Sequence, residues 1–203
     1  MTAPPGRVLP RSFYERAAQQ VARDLLGKSL LHRVAWGVRV ARIVETEAYL
    51  GEHDLASHAS RGRTARTEVM FGPAGHAYVY FVYGMHFCFN VVTGREGVAS
   101  AVLVRGVEGQ RGIPAGARTD GPGRLTRALG IARAENGLDL TTSALCILDG
   151  PRPPRGCVRR GPRIGVDYAG RWADRPLRFW VEGSPGVSRP PRSRARPRRR
   201  GGR

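Results

Sequence analysis

Three runs dominated by β-branched and aromatic residues leave this chain few folds to choose from: VRVARIVETEAYL (38–50), HAYVYFVYGMHFCFNVVT (76–93) and ASAVLVRGV (99–107). Such side chains suit a pleated, half-buried surface, so each run reads as strand. Gly84 offers a turn inside the second run, which makes it a hairpin with Tyr83 at its tip. Around these strands the pattern changes. Phe13, Ala17, Val21, Leu25 and Leu26 recur near the helical period, and Gly27 supplies a stop, so the spacing predicts a helix over 12–35. A second helix is expected over GRLTRALGIA (123–132), entered through Gly121, Pro122 and Gly123. ALCILDG, GPRIGVDYAG and LRFWVEG close the chain with short strands and turns. The expected fold class is α+β: a single mixed domain over 1–188, built around a largely antiparallel, curved β-sheet with flanking helices.

With 203 residues and 41% hydrophobic content, the chain can bury a real core. It has no run of about 18 apolar residues, and its opening lacks the apolar stretch of a secretory signal, so a cytoplasmic protein is expected, nucleoid-associated if bacterial. Cys88, Cys146 and Cys157 are odd in number and lack metal-ligand spacing. Neither a disulfide framework nor a metal site is indicated, and Cys88 reads as a small core residue.

Charge is the first functional signal. Lys and Arg number 34 against 16 Asp and Glu, a formal net of +18. Eight of those charges are arginines within residues 189–203, and 18 − 8 leaves +10 on the rest. A polyanion is the expected partner of the body as well as of the tail. The tail, an Arg- and Pro-rich basic segment over 189–203, has no large apolar residue to anchor it and is expected to be disordered, either solubilising or DNA-tethering.

In a strand, Ile43, Glu45, Glu47 and Tyr49 share one face, which sets two carboxylates beside an aromatic ring. If both acids entered one cleft, their repulsion would favour keeping one protonated, which suits acid/base work on a glycosidic bond. Taken alone, the pattern is more often a solvated strand edge. Tyr78, Tyr80 and Tyr83 crowd six residues, and aromatics beside acids in a basic protein are the ingredients for base stacking and for a wedge in a duplex. Tyr78 equally fits ordinary packing.

RIVETEAYLG (42–51), His58, MFGPAGHAYVYFVYGMHFCFNVV (70–92), AVLVRG (101–106), GPGRLTRALGI (121–131), GPRIGVDYAG (161–170) and RPLRFWVEGSPGVS (175–188) together resemble the alkyladenine (3-methyladenine) DNA glycosylase family. The match runs in order across about residues 10–188 and leaves the tail outside it.

The resemblance implies a DNA repair enzyme, a monofunctional glycosylase. It would flip an alkylated or deaminated purine (3-methyladenine, 7-methylguanine or hypoxanthine type) out of double-stranded DNA and hydrolyse its glycosidic bond, leaving an abasic site. Glu47 matches the general base and Arg105 an arginine that helps hold the water, with the backbone around Val166 assisting. Tyr49, His58 and Tyr80 match the residues around the flipped base. Asn90 matches the asparagine that crowds out the amino group of guanine. Tyr83 matches the residue filling the gap in the stack, with Met85 on the same hairpin. Taken singly, His58 is more often a structural or surface histidine, and Arg105 is one phosphate contact among many arginines.

Arg63, Arg66 and Arg124 are candidates for DNA-backbone contacts, the last because a Gly-rich helix start presents free amides to an anion. A monomer without metal or organic cofactor and without membrane association is expected. The alternative in another class is a noncatalytic DNA-binding protein that keeps the fold. A carbohydrate glycosidase fits the acid pair but leaves the +10 body unexplained.

Overall fold

The computed structural model describes residues 6–82, 84–154 and 156–188; the tail and Tyr83 lie outside the described residues. Among the described residues, eight strands form one sheet: β1 (Ser29–Val34), β2 (Gly37–Tyr49), β3 (Ala77–Val82), β4 (His86–Thr93), β5 (Ser100–Arg111), β6 (Leu145–Leu148), β7 (Val158–Gly161) and β8 (Arg178–Val181). Their order is β3-β4-β5-β2-β1-β6, and β8 joins β2 and carries β7. Every strand pairing is antiparallel. Three short helices, α1 (Arg11–Tyr14), α2 (Ala18–Asp24) and α3 (Pro122–Leu129), pack against the sheet. The result is a single α+β domain around a curled antiparallel sheet, as the strand runs imply.

β2 lies at the centre because both of its edges are used. Its first half pairs with β1, Glu45, Thr46 and Glu47 pair with β8, and β5 runs along the other side. Residues from Ile43 to Ala48 are all buried, so both faces of this stretch are covered as well as its edges. Ile43 and Ala48 join Leu25, Phe89, Val104 and Leu129 in the main core.

The long N-terminal helix expected over 12–35 is not formed. It is replaced by α1, α2 and then β1. Consecutive leucines fit both periods, and tertiary pairing decides between them. Leu30 enters the main core while Leu31 enters a separate cluster with Val40, Cys146 and Leu148, so neighbours point to opposite faces as only a strand allows. β5 also runs on to Arg111, through the glycines that follow Arg105, and β7 forms where no strand was read.

α3 starts where its sequence indicates, with Pro122 in the first turn, but it ends at Leu129 and not at the expected Ala132, because Gly130 turns left-handed at φ 72° and closes it. Leu125, Ala128 and Leu129 face the core. Thr126 donates to the Phe87 carbonyl at 3.0 Å, tying α3 to β4. Gly123 permits the approach, because a Cβ there would lie 2.8 Å from that of His86. No helix among the described residues is long and apolar enough to cross a membrane.

Candidate active site

A pair of register shifts shapes the centre of the sheet. Ile43 stands opposite Val107 and Glu45 opposite Gly106, which leaves Val44 over on β2; Thr46 then stands opposite Val104, which leaves Arg105 over on β5. Bulges re-aim side chains, and these turn Arg105 towards both acids. Its Nε lies 3.5 Å from Glu45 Oε1 and its Nη1 3.4 Å from Glu47 Oε1. Both carboxylates are wholly buried. The two acids therefore do not decorate a solvated edge. Burial lowers the Arg105 pKa, but Glu47 and Glu45 more than offset it, so the net shift is upward.

Glu47 has its remaining oxygen valences directed by neighbours. The Ile164 N–H donates to Oε1 at 2.8 Å and the Tyr49 hydroxyl donates to Oε2 at 2.9 Å. The Tyr49 hydroxyl is held well above its ordinary pKa by burial, and then by the negative charge of Glu47, so it remains a donor. Arg163 stacks over the Tyr49 ring, its guanidinium carbon 4.7 Å from the centroid. That guanidinium is fixed by a buried two-pronged pair with Asp54 at 2.6 and 2.9 Å. Asp54 in turn accepts from the Leu50 and Ala56 N–H groups. One wall of the site is thus braced from behind.

A cavity of about 1090 Å³ opens in front of this group, and its lining includes Tyr49, His58, Tyr80, Asn90 and Arg105. Five residues distant in sequence come together here. His58 meets Tyr80 edge to face at 4.5 Å between ring centres. Its Nδ1 lies 3.0 Å from the Tyr78 hydroxyl. Burial, with Arg66 and Arg61 adding positive charge, pushes the His58 pKa down to about 4, so the ring is neutral near pH 7. Asn90 is buried and donates to the Tyr78 carbonyl at 3.0 Å, which orients its amide. Cys88 also lines the cavity, so its thiol is more than core filling, but burial raises its pKa and keeps it protonated. Val166 lines the cavity beside Ile164 and Gly165.

Met85 follows Gly84 in the turn between β3 and β4 and is 66% exposed. The three candidate backbone arginines each have a different partner. Arg124 lines the cavity and is paired with Asp120 at 3.0 Å. Arg66 lies over the Tyr80 ring at 5.1 Å and donates to the Phe81 carbonyl. Arg63 is exposed and engaged by Glu68 through two hydrogen bonds at 2.9 and 2.7 Å. Tyr168 was not singled out in the sequence, yet it stands at the cavity wall 71% exposed. Among the described residues, no group of three or more His, Cys, Asp or Glu could hold a metal ion.

The comparisons with known proteins point one way. Residues 12–185 match the family described as methylpurine-DNA glycosylase. A protein of Myxococcus xanthus (strain DK1622) named "Putative 3-methyladenine DNA glycosylase" is 60% identical over 190 residues, covering 93% of this chain and 98% of its own. Proteins of the same name from Anaeromyxobacter sp. (strain Fw109-5) and Legionella pneumophila (strain Lens) are 55% and 50% identical. Each alignment covers 90% of this chain, with 93% and 99% of the relative.

Proposed function

Because this chain belongs to the methylpurine-DNA glycosylase family, we propose that it is a DNA repair enzyme that turns a damaged purine out of the duplex into the aromatic cavity and releases it by hydrolysis. The observation that carries this reading is the buried Glu47 carboxylate held by Tyr49, Ile164 and Arg105, each of which lines the cavity that His58 and Tyr80 also wall. Glu47 is the general base. It takes a proton from water as the water oxygen bonds to the anomeric carbon, and the glycosidic electron pair leaves with the base. A purine alkylated at N3 or N7 is cationic, so it departs neutral and needs no separate acid. Arg105 and the backbone around Val166 hold the water.

Selectivity begins before chemistry. A cationic base against an aromatic face gains about 0.5–2 kcal/mol, and undamaged purines gain less. Alkylated purines also stack less well, which lowers the cost of extrusion. Asn90, its amide oriented by the Tyr78 carbonyl, disfavours the amino group of guanine; 7-methylguanine carries the same group, and its cationic ring and labile glycosidic bond offset that penalty. Met85, in the turn after β3, and Tyr83 would occupy the gap in the stack. Arg63, Arg66 and Arg124 serve as phosphate contacts once released from their present partners.

The reaction ends at an abasic site. Strand cleavage by a glycosylase uses an amine nucleophile, and Lys28 is the chain's one lysine. Its Nζ is engaged by Asp149 at 2.6 Å and by the Gly150 carbonyl at 2.8 Å, away from the cavity lining. The working unit is a monomer on double-stranded DNA, without a metal or organic cofactor. The test is incubation with alkylated and with inosine-containing duplexes, followed by chromatography of released bases. Free 3-methyladenine, 7-methylguanine or hypoxanthine is the expected product. Tight binding without any released base would favour the noncatalytic alternative.

A further inference from the structure

Beside the bulged pair runs a segment that ends at the cavity wall, where Ser188 lines it. Ser184 donates to Glu108 at 2.6 Å and anchors the strap Ser184–Ser188 to the side of β5. Gly186 lies against the Val107 carbonyl and Gly106 against the Gly186 carbonyl; a Cβ at either glycine would collide with backbone. This double close approach delivers Ser188, itself buried, onto Glu45.

The resulting contacts are specific. The Ser188 N–H donates to Glu45 Oε2 at 2.6 Å and its hydroxyl donates to Oε1 at 2.9 Å. Arg178 donates from Nε to Glu45 Oε1 at 2.6 Å and from Nη2 to the Ser188 carbonyl at 3.1 Å. Arg105 donates from Nε to the Ser188 hydroxyl at 3.3 Å. Glu45 is thereby saturated by Arg178 and Ser188, and the serine hydroxyl is the link through which the strap touches Arg105. The far end of the same guanidinium reaches Glu47.

We infer that Ser188, Glu45 and Arg178 form a positioning device in which the carboxyl-terminal strap fixes the guanidinium of Arg105 and, through it, the orientation of the Glu47 carboxylate. The inference rests on the reading of Glu47 as general base. Its physical logic is that a long side chain in a bulge has rotamer freedom that a single weak contact cannot remove. A guanidinium held at Nε by Ser188 and Glu45 and at Nη1 by Glu47 lacks that freedom. Glu45 thus has a role distinct from acid/base chemistry: its carboxylate accepts three hydrogen bonds, one from Arg178 and two from Ser188.

Ser188→Ala isolates this link, since the backbone contacts of the strap remain while the bridging hydroxyl is lost. Full-length wild type, Ser188→Ala, Glu47→Gln and the double variant are compared by single-turnover excision from alkylated duplex at saturating protein, alongside duplex affinity and thermal midpoint. Misplacement of a catalytic group by a fraction of an ångström to an ångström costs about 10- to 100-fold in rate. The expected result is a loss of at least about 10-fold for Ser188→Ala, with affinity unchanged and no further loss when the change is added to Glu47→Gln. A Ser188→Ala rate equal to wild type overturns the positioning role. So does an equal loss in the Glu47→Gln background, which would mark the serine as merely structural. Failure of wild type itself to release a base would instead count against the proposed function.

Discussion

The Tyr49 hydroxyl donates a hydrogen bond to Oε2 of Glu47 at 2.9 Å, so one side chain both walls the cavity and restrains the buried carboxylate. The two duties separate in Tyr49→Phe. The ring stays, and lesion affinity is expected to hold within a few fold. The buried carboxylate loses a donor, and a hydrogen bond to a charged group is worth about 1.5–3 kcal/mol. A lower thermal midpoint with retained binding is the expected pair of results. Loss of binding with an unchanged midpoint would show that the hydroxyl serves the ligand instead of Glu47.

His58 sets the behaviour in acid. In the unfolded chain its ordinary value is 6.5, whereas in the fold burial, then Arg66 and Arg61, hold it near 4. Between those values the unfolded state binds more protons, so this group makes stability fall as pH drops from about 6.5 towards 4. Urea unfolding across that window should show a shallower dependence in His58→Gln than in wild type. An equal slope in the two proteins would mean that His58 is already charged in the fold.

The long strand runs, the start of α3 and the family were legible because each is written locally. Runs of β-branched and aromatic residues and a glycine–proline entry to α3 need no distant partner to be read. What could not be read was whatever depends on closure of the sheet. ETEAY gives no sign that Glu45 turns to Arg178 and Ser188 while Glu47 turns to Tyr49 and Ile164, because the bulges that separate them arise from register with β5. Asp54 and Arg163 escaped notice for the same reason. They are 109 residues apart and each is unremarkable in its own segment. The N-terminal helix failed where two leucine pairs suited either period, and pairing with β2 and β6 chose the strand.

The chain beyond Ser188 carries eight of the arginines. Ser188 lines the cavity, and the first of those arginines follows it in the sequence. A variant ending at Pro191 keeps the peptide bond after Ser188 and removes seven of the eight. Each phosphate contact contributes about −0.9 to the slope of log affinity against log salt, so the truncated protein should bind any duplex more weakly and with a flatter slope. Excision from the saturated complex should stay near the wild-type rate. An unchanged salt slope would mean that the tail does not touch DNA.

Glu47→Gln is the most direct test of the account, because the amide keeps the size of the carboxylate and its hydrogen-bond acceptor but cannot take a proton from water. Single-turnover excision of 3-methyladenine or 7-methylguanine from alkylated duplex, with protein in excess, isolates that step from binding and product release. Loss of a general base costs about 10²–10⁴-fold. A rate lower by that factor, with duplex affinity preserved, is the result expected; excision within a few fold of wild type would contradict the assignment of Glu47 as the base.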